Sequence, residues 1–230
     1  MLGYYNYTVW LTYLSLLSAG CGIGIALGGL GHPYIGTFFL LFSGLCDAFD
    51  GKVARTKKNR TEEECKFGIQ IDSLADLVAF GVLPACIGYA MLWRAPDLSS
   101  VPDFTTGRIK DVIVPIVCYI VLLFYILMAL VRLAYFNVTE ETRQKQETGV
   151  RKYFDGMPVT SASLIFPLIM LFQFLTPADL TYLYYIGLAI VGFLFVARFK
   201  TPKPTSKGIW ILIGVGLVEF LILLFNKICS

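Results

Sequence analysis

Four aspartates define the chemistry open to this chain. Asp47 and Asp50 are three residues apart, and Asp72 and Asp76 are four apart. On helices, both spacings put the two carboxylates on one face, one turn from each other. The flanking sequence is apolar, and carboxylates at or near hydrocarbon depth are rarely tolerated without a partner or a task. Four of them on consecutive helices call for compensating positive charge, and divalent metal is the simplest source. Their charge balances two ions, and hard oxygen donors favour Mg2+ or Mn2+ over zinc. A pair of such ions is the usual device for in-line displacement at phosphorus, because it steadies both the attacking and the leaving oxygen. Gly51, next to Asp50, leaves room for a substrate to come close, and Gly68 does the same from the facing helix. Ala54 keeps that wall low, and Arg55 offers a fork for phosphate or for the acidic cluster. An ion-paired packing cluster with Lys52 and Arg55 is the competing reading. It would need neither the two glycines nor the full spacing.

The elements that must hold these residues are membrane helices. The 230-residue chain is 57% hydrophobic and 15% charged, with a mean hydropathy of +0.70. That balance excludes an ordinary soluble domain. A net charge of +3 gives nucleic-acid binding no electrostatic support. The six cysteines have neither zinc spacing nor a disulfide framework and read as buried free thiols. Cys46 points away from Asp47 around the helix and is not counted as a ligand. No basic leader with a small-residue cleavage site opens the sequence, so no cleavable signal peptide is expected.

Seven segments are long enough to span about 30 Å of hydrocarbon at 1.5 Å per residue. They run approximately over 8–30, 34–56, 67–93, 109–136, 157–175, 179–199 and 208–227. The predicted fold is an all-α, polytopic transmembrane bundle in a single domain, 1–230, with a polar cavity open to the cytoplasm. Gly20, Gly24 and Gly28 read as a small-residue stripe for close helix packing, not as a nucleotide loop. With the N-terminus inside, fifteen of the 19 Lys and Arg residues fall on the inner side; Arg94, Arg108, Lys110 and Lys227 stay outside. That bias puts the carboxylates at the cytoplasmic ends of the second and third helices. Glu219, in the seventh segment, either pairs with another helix or faces a cavity. His32 falls in an outer turn, too far away to serve as the cluster's base.

The stretch Asp47-x-x-Asp50-Gly51-x-x-Ala54-Arg55, followed by Gly68-x-x-x-Asp72-x-x-x-Asp76, resembles the signature of the CDP-alcohol phosphotransferases at every fixed position, 47–76. One spacing departs from it: about eight residues are expected between the Arg and the second Gly, and twelve lie between Arg55 and Gly68. The surplus falls in a charged segment and reads as a longer loop. The resemblance implies a six-helix core plus one, a homodimer, and attack of a hydroxyl on a CDP-activated lipid or alcohol with release of CMP. It also implies that Asp47, Asp50 and Asp72 ligate two divalent cations. Asp76 is implied as general base with a possible metal contact, and Asp47, Gly51, Ala54, Arg55, Gly68 and Asp72 as the CDP site.

Further segments narrow the resemblance. Asp72–Asp76 (DSLAD), Arg132–Asn137 (RLAYFN) and Tyr153–Pro158 (YFDGMP) look like the bacterial and archaeal phosphatidylserine synthase branch, over residues 6 to 170. Tyr135 stands where that branch has an Arg. The helices of 179–227 carry no comparable signal. The branch implies CDP-diacylglycerol and L-serine as substrates, in a prokaryotic cell membrane with the site facing the cytoplasm. Arg132, Asn137, Arg151 and Ser73 are the candidate serine or phosphate contacts. The competing readings are a snorkelling interfacial residue for Arg132, inner-loop charge for Arg151 with Lys152, and a bond to its own helix for Ser73. Asp155–Pro158 is expected to form a turn opening the fifth helix, with Pro158 in its first turn. Glycerol 3-phosphate or inositol phosphate is the alternative acceptor. A non-enzymatic transporter would show internal repeats or broken helices in matching halves, and the sequence has neither.

Overall fold

Small residues spaced three or four apart decide how the first two helices meet. The computed structural model describes residues 3–28, 33–95, 102–103, 108–146, 153–176 and 179–202, together with 214, 218 and 221–222. Helix α1 (Trp10–Leu27) follows a 3-10 turn (Tyr7–Val9) and buries Thr12, Ser15, Ser18, Gly22 and Ala26. That face packs along α2 (Tyr34–Ala54). Ser43 Oγ donates to the Ser15 carbonyl at 3.0 Å, and Ser15 Oγ returns a bond to the Ser43 carbonyl at 3.4 Å. Ser18 Oγ adds a third bond, to the Phe39 carbonyl at 3.0 Å. In an apolar surround, such side-chain bonds and close backbone approach take the place of hydrophobic drive. The glycine that permits the approach is Gly22, where a Cβ would stand 2.9 Å from Phe39 Cβ. The predicted Gly20–Gly24–Gly28 stripe does not pack against α2: Gly20 and Gly24 have open space beside them within the chain, and all three are exposed.

The next rod is continuous: α3 (Glu62–Asp76), a wider π-helical turn (Leu77–Val82) and α4 (Leu83–Arg94). A capping box starts it, with Glu64 N–H donating to Thr61 Oγ1 and Thr61 N–H to the Glu64 carboxylate, both at 3.1 Å. Because α3 begins at Glu62, half of the residues between Arg55 and Gly68 are helical. The segment read as a loop is thus divided between a connection over 56–61 and the capped front of α3.

Helix α5 (Ile109–Gln146) crosses behind this rod, and α6 (Ala162–Leu175) and α7 (Thr181–Val196) close the bundle. The core joins Phe80, Leu83 and Ile87 to Tyr125, Phe166, Tyr184 and Leu188. Pro84 has no N–H to direct at the Phe80 carbonyl, which an α-helical ladder would require. Tyr125 of α5 donates its hydroxyl to that carbonyl at 2.6 Å. From α7, Tyr184 bonds the Pro84 carbonyl at 2.9 Å and Tyr185 the Gly88 carbonyl at 3.1 Å. Three buried phenols thus satisfy carbonyls along the rod that carries half the aspartates. Tyr125→Phe strands the Phe80 carbonyl and is expected to cost about 1–3 kcal/mol. Thermal unfolding in detergent measures it, and an unchanged midpoint would refute this role for Tyr125.

Among the described residues, three helices are long and apolar enough to cross a membrane: Tyr7–Leu27, Glu62–Arg94 and Ile109–Glu140. These correspond to the first, third and fourth predicted segments. Helix α2 has 21 residues but ends in charge, while α6 and α7 are apolar helices of 14 and 16 residues. The seventh segment, 208–227 with Glu219, lies outside the described residues apart from four positions, and His32 lies outside them too.

The chain is not purely helical. Strand β1 (Tyr153–Asp155) pairs antiparallel with β2 (Lys200–Pro202), so the segment before α6 is tied to the segment after α7. Gly156 turns the chain out of β1 with φ +76°, and a Cβ there would meet the Ala197 carbonyl oxygen at 2.9 Å. The expected turn is present. Pro158, however, precedes a separate 3-10 turn (Val159–Ser161) and is not in the first turn of α6. Of the cysteines, Cys46 and Cys118 are buried as expected, Cys65 and Cys86 are half-buried, and Cys21 is exposed.

Candidate functional site

Asp47 and Asp50 leave the last two turns of α2, and Asp72 leaves the facing side of α3. One carboxylate oxygen from each lies within 4.8 Å of the others. All three are half-buried. Asp50 and Asp72 are in hydrogen-bond contact, and two carboxylates that close need a proton or a cation between them. Asp72 Oδ1 is buried and has no hydrogen-bond partner. A convergent set of hard oxygen donors, one of them orphaned, fits a divalent cation such as Mg2+ or Mn2+. Asp76 is not one of the three. It sits one turn further along α3, the last residue before the π-helical turn, within electrostatic reach of Asp47, Asp72 and Asp50. Single π-helical turns inside α-helices are frequent at functional sites.

The neighbours of the trio partly match the sequence reading. Arg55 ends α2 and folds back over Gly51, where a Cβ would stand 4.0 Å from Arg55 Nη2. Gly51 is otherwise open and exposed, and Ala54 is half-buried beside it. Gly68 lies one turn before Asp72 on α3, and its open side is covered by Arg60, whose Nη2 would be 2.7 Å from a Cβ there. Ser73 and Asn137, proposed independently from sequence, meet: Asn137 Nδ2 donates to Ser73 Oγ at 2.8 Å. This bond joins α5 to α3 beside Asp72, and Ser73 Oγ is engaged across helices as well as available to its own.

Arg132 is placed differently from the interfacial reading. It is buried, donates from Nε to the Met157 carbonyl at 3.0 Å, and lies over the Phe136 ring at 5.8 Å. It therefore holds the Gly156–Pro158 turn against α5. Arg151 and Lys152 lie outside the described residues. Tyr135 is half exposed.

Some residues around the site went unread in sequence. Thr12 of α1 donates to Asp50 Oδ2 at 3.4 Å. Its signal was the Thr12, Ser15, Ser18 periodicity on α1, which marks the face turned toward α2. The N-terminal segment also reaches the site's rim. Tyr4 hydrogen-bonds Glu63, and Asn6 Nδ2 donates to Glu64 Oε1 at 2.7 Å. Lys57 Nζ meets the same Glu64 carboxylate at 3.0 and 3.1 Å. Nothing local in sequence pairs residues 4–6 with 63–64.

Comparison with known proteins agrees with this geometry. A family model described as CDP-alcohol phosphatidyltransferase matches residues 5–197. A CDP-diacylglycerol–serine O-phosphatidyltransferase of Saccharomyces cerevisiae is 34% identical over 163 residues, which are 66% of this chain and 50% of that protein. The Helicobacter pylori protein of the same name is 28% identical over 183 residues, 76% of this chain and 65% of its own length. An archaetidylserine synthase of Methanothermobacter thermautotrophicus is 28% identical over 196 residues, 85% of this chain and 70% of that protein. The chain thus spans about half to two thirds of the length of the first two relatives. The family match encloses all four aspartates, Gly51, Gly68 and Arg55, and the chain belongs to the CDP-alcohol phosphatidyltransferase family.

Proposed function

We propose that the protein transfers the phosphatidyl group of CDP-diacylglycerol to L-serine, giving phosphatidylserine and CMP. The observation that carries this reading is the meeting of Asp47, Asp50 and Asp72 from two helices with Asp76 one turn away. The names of the relatives support serine as the acceptor.

Two divalent cations, Mg2+ or Mn2+, would supply charge neutralisation at the diphosphate and at the leaving oxygen when bound. Asp47, Asp50 and Asp72 hold that charge in place. Gly51 leaves the wall low where the nucleotide approaches and Ala54 adds no bulk beside it, while the space at Gly68 is taken by the Arg60 side chain. Arg55 presents its fork at the exposed end of α2. Asp76 takes the proton from the serine hydroxyl as its oxygen attacks phosphorus. The phosphorus–oxygen bond to CMP breaks in the same displacement, and CMP carries away the electron pair. Direct displacement is favoured because, among the described residues, no Ser or Cys is hydrogen-bonded to a carboxylate that would activate it as a nucleophile. Asn137 and Ser73 form one polar contact beside Asp72, which supports reading them as contacts for the serine headgroup. Arg132 acts on that pocket through the turn it holds, and Arg151 is retained as a phosphate contact by its sequence position.

The wider reading is a seven-helix membrane protein, active as a homodimer, with its polar cavity open to the cytoplasm. The charge bias of the loops supports that orientation. The archaetidylserine synthase relative, aligned over 85% of this chain, favours a second reading in which the lipid donor is a CDP-activated archaetidyl group. CMP release by purified protein with Mn2+ tests both readings. L-serine, glycerol 3-phosphate and inositol phosphate are compared as acceptors, and the two lipids as donors. Release only with serine is expected. Release only with another acceptor would overturn the serine assignment and keep the aspartate chemistry.

A further inference from the structure

Arg60, in the segment between α2 and α3, is the residue that the reading above leaves without a task. It immediately precedes the Thr61 cap and turns back along α3, so that its guanidinium lies across Gly68. Its Nη2 donates to the Glu64 carbonyl at 3.3 Å. Its Nε is buried and has no hydrogen-bond partner. No carboxylate pairs with it among the described residues. The nearby Glu64 is already occupied by Lys57, Asn6 and the Thr61 N–H. A purely structural clamp would have one N–H in use and would gain nothing from desolvating a second, since a buried donor without a partner is costly. A guanidinium is always charged, and its fork matches the paired oxygens of a phosphate.

The position selects the ligand. Gly68 is one turn before Asp72 on the same face of α3, so the guanidinium over Gly68 lies one helical turn from that carboxylate, on the side from which the phosphates of a nucleotide-activated lipid would reach the group. We infer that Arg60 is a binding residue for the substrate diphosphate, its Nε–H and neighbouring N–H donating to phosphate oxygens across Gly68. The absent side chain at Gly68 then has a second purpose. It lets the guanidinium lie flat against α3, and any Cβ there would push the fork out of reach. The inference rests on the proposed function only in taking a CDP-activated lipid as the substrate; it is indifferent to the acceptor.

The test is equilibrium binding of CDP to the full-length protein with Mn2+ and no acceptor, for wild type, Arg60→Ala and Arg60→Lys. Melting temperatures and the KM for L-serine are measured alongside. Arg60→Ala is expected to weaken CDP binding about ten-fold, in line with loss of a charge-assisted hydrogen bond. Arg60→Lys is expected to recover part of the loss, with melting temperature and serine KM unchanged. Wild-type CDP affinity in Arg60→Ala would overturn the inference while leaving the proposed function standing. So would a loss that follows a fall in melting temperature in both variants, or a change confined to the serine KM. Failure of wild type itself to bind CDP would overturn the inference and the proposed function together.

Discussion

Asp76→Asn is expected to stop CMP release, lowering turnover by at least about a hundred-fold, the range in which general bases contribute. The same variant should bind Mn2+ and CDP nearly as wild type does. The separation of effects follows from where Asp76 stands. Asp47, Asp50 and Asp72 converge without it, so its loss leaves the convergent carboxylates in place. Asparagine keeps the size and the polar contacts but cannot take a proton from a hydroxyl. The comparison to make is single-turnover CMP release beside Mn2+ binding, on protein of wild-type melting temperature. Wild-type turnover in Asp76→Asn would end the assigned mechanism. A matching collapse of Mn2+ binding would recast Asp76 as a ligand first and a base second.

Asp72→Asn should show the opposite pattern. The Mn2+ concentration for half-maximal activity should rise at least about ten-fold, since even outer-shell partners of metal ligands cost 10–100-fold when removed. Without metal, this variant should melt no lower than wild type. Asp72 contributes a buried oxygen with no partner and stands in contact with Asp50, and an amide there removes the need for a proton or a cation between two carboxylates. Added Mn2+ should then stabilise wild type by mass action and the variant less. Melting curves with and without Mn2+ read both effects. A variant destabilised without metal and stabilised by Mn2+ as strongly as wild type would mean that Asp72 packs the helices and does not hold an ion.

The acidic site was readable because its residues are local. Asp47–Asp50 and Asp72–Asp76 each fall within one turn of one helix, and helical periodicity alone puts each pair on a face. The limits lie where distant segments meet. Sequence placed a loop over the charged segment before Gly68, whereas Thr61 and Glu64 cap the start of α3 within it. It placed the packing glycines on the Gly20–Gly24–Gly28 face, whereas Phe39 of α2 approaches Gly22. Residue spacing defines which glycines share a face but not which face the neighbouring helix takes. The β1–β2 pairing had no signal at all, since three-residue strands about forty-five positions apart carry no periodicity of their own.

Composition determined that this is a helical membrane protein, because a chain 57% hydrophobic has too little polar surface to face water on all sides. Residue type and spacing determined a carboxylate site suited to hard cations, because one helical turn is enough to pair each set. Tertiary structure alone decided that Asp72 converges with Asp47 and Asp50 within 4.8 Å while Asp76 lies one turn further along α3, within electrostatic reach of all three. It also decided that Thr12 reaches Asp50, that Asn137 bonds Ser73, and that Arg60 covers Gly68. The helix period relates residues within a segment. The angle and depth at which two segments pack depend on the small and bulky side chains where they touch, and that information exists only once the helices are together.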